Sequence, residues 1–187
     1  TAAYFGSKLV EKQLIELRGR RRIDCATQII KWIKKPVSIK EFLLVHEPIS
    51  RNLMKQVKAM PGAENLVKWC YENQVPTALV TSSTSRSVQL KSQNQTWLGL
   101  IETRVQGDDN SLKEGKPSPD PFLLAAQRLK ARPQNCWAIE DSLSGTESAL
   151  KAGCLVWILN FEQKKKNGYE KSPNHSSRAR EIDDLAK

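Results

Sequence analysis

The pattern of apolar residues changes character at Met60-Pro61-Gly62, and that change restricts the fold more than any other feature of the chain. Before this point, apolar residues recur only at helical spacing. After it, short apolar runs alternate with amphipathic stretches. Such alternation builds a parallel sheet, because strands joined by helical crossovers run the same way and the helices cover the sheet faces. The chain therefore reads as a helical module over residues 1–58, followed by a doubly wound α/β unit over residues 59–187. Its 187 residues suffice for one proper core and a small appendage.

Within the helical module, Ile23, Ala26, Ile29, Ile30 and Ile33 fall on one helix face, and Pro36 ends that helix. Ser38-Ile39-Lys40-Glu41 has the spacing of a capping box and opens the next. Phe42, Val45, Ile49, Leu53 and Val57 continue at helical spacing, and Pro48 predicts a kink or a break. In the second unit the pattern predicts helices over Ala63–Glu72, Ser85–Gln93, Pro119–Leu129 (with Ser118 as N-cap) and Leu143–Ala152. Strands are predicted over Pro76–Val80, Ile101–Val105, Cys136–Ile139 and Leu155–Leu159. The polar tail after Phe161 reads as loop, with a last short helix near Glu181–Ala186.

Ligands of open parallel sheets bind beyond the carboxyl ends of the strands. Three segments with chemical potential lie there: Thr81-Ser82-Ser83, the loop carrying Gly115-Lys116-Pro117, and Glu140-Asp141. Adjacent carboxylates repel unless neutralised, and a magnesium ion with waters and phosphate oxygens does this; the plainer reading is that Asp141 or Ser142 caps a helix. Lys116 in a strand-end loop can neutralise phosphate, although most lysines are simply surface residues. Hydroxyls and amides at Thr81, Ser82 and Ser83 can hold phosphate oxygens, or can be ordinary turn chemistry. Asp108-Asp109 reads as a solvated turn.

Composition narrows the classes further. Two histidines, His46 and His175, leave no basis for a zinc site or a histidine-based triad. Cys25, Cys70, Cys136 and Cys154 are isolated in apolar pattern and read as buried reduced thiols. Gly115-Lys116 is followed by proline rather than Ser or Thr, which excludes a P-loop. The net charge of +10 gathers around Arg18, Arg20, Arg21 and Arg22, around Lys31, Lys34 and Lys35, and around Lys164, Lys165 and Lys166. No aromatic is interleaved with these runs in a stacking pattern, so small phosphorylated anions are expected as partners rather than nucleic acid. No apolar stretch has membrane-spanning length, and a cytoplasmic protein is expected. The oligomeric state is unreadable.

In their order and spacing, Thr81, then Gly115-Lys116-Pro117-Ser118-Pro119-Asp120, then Ile139-Glu140-Asp141-Ser142 with Gly145, resemble the haloacid dehalogenase-like (HAD) hydrolase superfamily over Met60 to Leu159. The subgroups most similar are the pseudouridine-5'-phosphatases and the sugar- or glycerol-phosphate phosphatases, followed by the beta-phosphoglucomutases. The resemblance implies that the helical module is a cap inserted between the first and second motifs. It implies that Thr81 is the second-motif hydroxyl and Lys116 the third-motif lysine. Glu140 and Asp141 become the magnesium carboxylates, the Ser82 amide and Ser83 contact phosphate, and Arg20 and Arg22 read the substrate from the cap. The implied activity is magnesium-dependent hydrolysis of a small phosphomonoester through an aspartyl-phosphate. A phosphohexomutase and an inactive phosphate-binding protein stand as alternatives. The family's first motif, Asp-x-Asp on the first strand, is absent, and Thr1-Ala2-Ala3-Tyr4-Phe5-Gly6 resembles the interior of the cap's first helix. The expectation is that a segment bearing the nucleophile precedes Thr1, and that these residues alone are inactive.

Overall fold

A computed structural model describes residues 1–159 and 178–182 of the chain. The helical module contains α1 (Glu11–Leu17), α2 (Arg22–Trp32) and α3 (Ile39–Met54). Ala26 and Ile33, at the inner face and the end of α2, bury against Phe42 of α3, and Phe5, Ile29, Ile30, Val37 and Leu43 surround this nucleus. Ile23 shares the predicted stripe but lies outside the nucleus and is exposed. Ser38 caps α3 as its spacing predicts. Its Oγ accepts from the Glu41 amide at 3.2 Å, and the Glu41 carboxylate accepts from the Ser38 amide at 2.8 Å. The Ser38→Ala variant is expected to lose about 1 kcal/mol of stability in urea denaturation; an unchanged midpoint would show that the cap contributes nothing.

Pro48 does not end α3, which runs on to Met54. A proline in a helix interior frees the carbonyl four residues back, here that of Leu44. Both residues are exposed, so water can take the missing partner's place. Ile49, Leu53 and Val57 are exposed as well, because the small nucleus reaches only the first turns of α3.

The second unit comprises α4 (Ala63–Glu72), β1 (Ala78–Val80), α5 (Ser85–Ser92), β2 (Thr103–Val105), α6 (Asp120–Arg128), β3 (Trp137–Glu140), α7 (Leu143–Ala152), β4 (Leu155–Leu159) and β5 (Ala179–Ile182). The strands are parallel, as the alternation predicts, and among the described residues they form a pair, β1-β2, and a triplet, β3-β4-β5. A core of Phe122, Ala138, Ala149, Ala152, Cys154 and Val156, with Val80 packed against it, joins α6 and α7 to both groups. Trp137 leaves this core: it is 70% exposed and contacts Trp157. Cys25, Cys70, Cys136 and Cys154 are free thiols, and burial pushes that of Cys154 up to about 11.

Two local predictions need correction. Glu181 and Ile182 belong to β5, paired in parallel with β4, where a helix was expected. Pairing with an existing strand outweighs the helical preference of so short a polar segment; residues 183–186 lie outside the described residues, as does the tail from Phe161 to Ser177. At the start of α6 the N-cap is Pro119, not Ser118, with Pro121 in the first turn, where a missing amide is harmless. Among the described residues, no helix is long and apolar enough to cross a membrane.

Candidate functional site

The C-terminal ends of β1 and β3 are bridged by one side chain. Lys116, in the loop before α6, donates to the carbonyl of Val80, the last residue of β1, at 3.2 Å. It also donates to the carboxylate of Glu140, the last residue of β3. The two partners are 6% and 7% exposed, so this is a buried ion pair. The Phe122 ring lies beneath the ammonium, 5.1 Å to its centroid. An ammonium has three donors, and these two bonds use two of them. The loop is anchored from behind by buried Ser148 of α7, whose hydroxyl donates to the Ser118 carbonyl at 2.5 Å.

Glu140 is held at its second oxygen by Ser142, whose Oγ donates to it at 3.2 Å and accepts from the Gly145 amide at 3.1 Å. Burial raises the Glu140 carboxyl above the ordinary carboxylate range; the Lys116 ammonium opposes that shift and the neighbouring Asp141 adds to it. Gly145 is required here by space, because a Cβ at this position would collide with the Glu140 carboxylate. Ser142 is also the N-cap of α7. The capping role that might have explained Asp141 is therefore filled by its neighbour, and Asp141 stands exposed at the edge.

At the end of β1, the Thr81 amide continues the ladder to Val105 at 2.9 Å, and the Thr81 hydroxyl accepts from the Ser83 amide at 3.2 Å. The Ser83 carbonyl accepts from the Gly107 amide at 2.9 Å. A Cβ at Gly107 would strike the Ser82 carbonyl, so this crossing of backbones needs glycine. The Ser82 hydroxyl is committed within the protein: it donates to the Gly19 carbonyl at 2.6 Å. Ser144 makes the matching bond to the Arg18 carbonyl at 2.8 Å. These two bonds fasten the α1–α2 loop over the strand ends. Gly19 is left-handed, with φ +80, and a Cβ there would run into the side chains of Ser142 and Ser144.

The arginines of that loop divide by environment. Arg20 has a buried Nε with no hydrogen-bond partner. Arg21, which the sequence did not single out from the cluster, lies against Gly115 beside Lys116 and pairs with Asp24 at 2.9 Å. Arg22 opens α2, and its charge, after burial, helps hold the pKa of His46 below the ordinary range, which places it toward the helical nucleus. No described contact joins Arg22 to Lys116. Lys91 of α5 was also missed. It donates to the Ser83 Oγ at 2.9 Å; burial lowers its pKa and the charge of Asp141 opposes this. Nothing in the sequence distinguishes it from other helical lysines. Asp108 and Asp109 do form a turn, but with structural bonds: Asp108 accepts from the Ser85 amide at 2.8 Å, and Asp109 pairs with Arg128 at 2.5 Å.

Among the described residues there is no cluster of three or more metal-ligating side chains. Magnesium does not need one, since it is commonly held by one or two carboxylates together with waters and phosphate oxygens. Asp141, exposed and uncommitted to the helix cap, fits that mode as a direct ligand. Each Glu140 oxygen accepts one hydrogen bond, from Lys116 and from Ser142, and keeps a further lone pair, so Glu140 fits it directly or through an intervening water.

Residues 1–158 match the haloacid dehalogenase-like hydrolase family. The chain is 32% identical over 153 residues to a bifunctional riboflavin kinase/FMN phosphatase of Arabidopsis thaliana, covering 81% of this chain and 40% of that protein. It is 33% identical over 163 residues to (DL)-glycerol-3-phosphatase 2 of the same plant, covering 84% of this chain and 68% of that protein. The chain thus spans less than half of the first relative and about two thirds of the second. The fold is similar to that of beta-phosphoglucomutase from Clostridium difficile, with a TM-score of 0.77 at 21% identity, over 99% of this chain and 80% of that one.

Proposed function

The chain belongs to the haloacid dehalogenase-like hydrolase family, and from that premise we propose that it serves a magnesium-dependent phosphatase acting on a small phosphomonoester, a sugar, polyol or nucleoside phosphate. One observation carries this reading. Lys116 ties together the ends of β1 and β3, so that its ammonium, the Thr81 hydroxyl and the exposed Asp141 share one strand edge. That edge offers donors and positive charge to phosphoryl oxygens, which is the requirement of phosphoryl transfer.

Thr81 and Lys116 orient the phosphoryl group, and the Ser82 amide and Ser83 contact it. Asp141, with Glu140 beside it, would hold magnesium, which supplies offsetting charge to the phosphoryl oxygens. By the family resemblance, the attacking carboxylate belongs to an Asp-x-Asp motif, which the described residues do not contain. Its oxygen bonds to phosphorus as the ester bond breaks, and a second acid protonates the departing oxygen. Water then cleaves the aspartyl-phosphate, releasing orthophosphate and restoring the carboxylate. Residues 1–58 act as a cap that excludes water, and Arg20 and Arg22 read the leaving group.

The test is orthophosphate release by the full-length protein from a panel of polyol, sugar, nucleoside and flavin monophosphates, with and without magnesium. Release from at least one, dependent on magnesium, is expected; release from none would refute the reading. With the preferred substrate, Arg20→Ala is expected to raise KM roughly tenfold, the worth of one hydrogen bond to a charged group, with a smaller change in kcat. An unaltered KM across the panel would remove Arg20 from substrate reading.

A further inference from the structure

The hydroxyls at the end of β1 are not equivalent, and their difference identifies a residue that the motif comparison passes over. The Ser82 proton is spent on the Gly19 carbonyl. The Thr81 oxygen accepts from the Ser83 amide, which leaves its proton free. The Ser83 oxygen accepts from Lys91 Nζ at 2.9 Å, and Ser83 is pinned by its own amide and carbonyl, to Thr81 and to Gly107. A hydroxyl that accepts from an ammonium must turn its own proton elsewhere, and becomes a stronger donor for it.

The two lysines near this edge also differ in charge balance. Lys116 is neutralised by Glu140, within a buried pair. Lys91 is half-buried and forms no ion pair among the described residues, while lying within electrostatic reach of Asp141. The cation at the β1 end without a contact ion pair among the described residues is therefore Lys91, and the charge of Asp141 only opposes the effect of its burial. A half-buried cation without a contact ion pair gains from an anion that arrives to meet it.

We propose that Lys91 is a positioning residue for phosphate: through Ser83 it presents an oriented, charge-assisted hydroxyl donor, and it supplies the positive charge that Lys116 has given to Glu140. This rests on the phosphatase reading of the same edge. The bland alternative is a structural tie between α5 and the β1 loop, which would affect stability and nothing else.

Orthophosphate is the probe, titrated into the full-length protein by calorimetry in one fixed buffer, alongside thermal melts and steady-state kinetics. Lys91→Met is expected to weaken orthophosphate binding about tenfold and to raise KM by a similar factor, the magnitude of a lost charged hydrogen bond. Lys91→Arg should restore most of the affinity. Ser83→Ala should lose a comparable amount, and the double variant little more than either alone, because the two residues act as one unit. An affinity unchanged in both Lys91→Met and Ser83→Ala overturns the proposal, whatever the melts show. Should Lys91→Met fail to fold, Ser83→Ala and Lys91→Gln decide by the same criterion. If the wild-type protein binds no orthophosphate at all, the phosphatase reading itself falls. Wild-type binding with unaffected variants sinks only the role of Lys91.

Discussion

Lys116→Met is expected to destabilise the fold by about 3–5 kcal/mol near neutral pH, because it leaves the Glu140 carboxylate buried without its counter-charge. At this chain length each kcal/mol is about 2–4 °C of melting temperature. The loss should depend on pH in a defined direction. Burial already raises the folded pKa of Glu140, and the Lys116 ammonium opposes it. Without the ammonium, the folded pKa climbs further. A carboxyl with a raised folded pKa contributes its full stability below the unfolded value, and that contribution is lost as pH rises through the folded value. The variant should therefore be closest to wild type in mildly acidic buffer, just above the ordinary carboxylate range, and fall behind as pH increases. Urea denaturation of both proteins at pH 5 and pH 8 measures this. Equal deficits at the two values would show that Glu140 carries no uncompensated charge in the variant. Turnover should fall as well, since the same ammonium is proposed to orient the phosphoryl group.

Asp141→Asn separates chemistry from folding. Ser142 caps α7 without help from Asp141, which is exposed. Stability should thus change by less than about 0.5 kcal/mol, as for an ordinary surface substitution. Turnover in the full-length protein should drop on the order of a thousandfold, since a metal's charge is worth several kcal/mol to the transition state. The affinity for magnesium, read by calorimetry without substrate, should fall in parallel. A variant that keeps both its magnesium affinity and its turnover would exclude Asp141 as a ligand.

Much of the second unit was legible because its elements are short and bounded by strong punctuation. Each predicted strand lies within a few residues of an observed one, and the Gly153 at φ +92 ends α7 where an Ala-Gly pair marks a helix stop. What was illegible depended on tertiary contact. Glu181 and Ile182 carry no strand signal, and only pairing with β4 makes them one. Ile49, Leu53 and Val57 keep helical spacing, yet no period can reveal that the nucleus stops at Phe42. That Thr81, Lys116 and Glu140 meet at one strand edge was legible through order and spacing. The roles of Ser82, Lys91 and Arg21 were not, because each is defined by a partner distant in sequence: Gly19, Ser83 with Asp141, and Gly115.

The fastening of the α1–α2 loop has a consequence for how the protein responds to its medium. Both bonds, Ser82 to the Gly19 carbonyl and Ser144 to the Arg18 carbonyl, join neutral groups. Dissolved electrolyte screens charges over a Debye length of about 8 Å at physiological strength and leaves neutral hydrogen bonds nearly untouched. Capture of a dianion by a basic edge is weakened by added salt, whereas the seating of the loop is not. If the edge binds phosphate as proposed, a saline environment would weaken that attraction without loosening the loop.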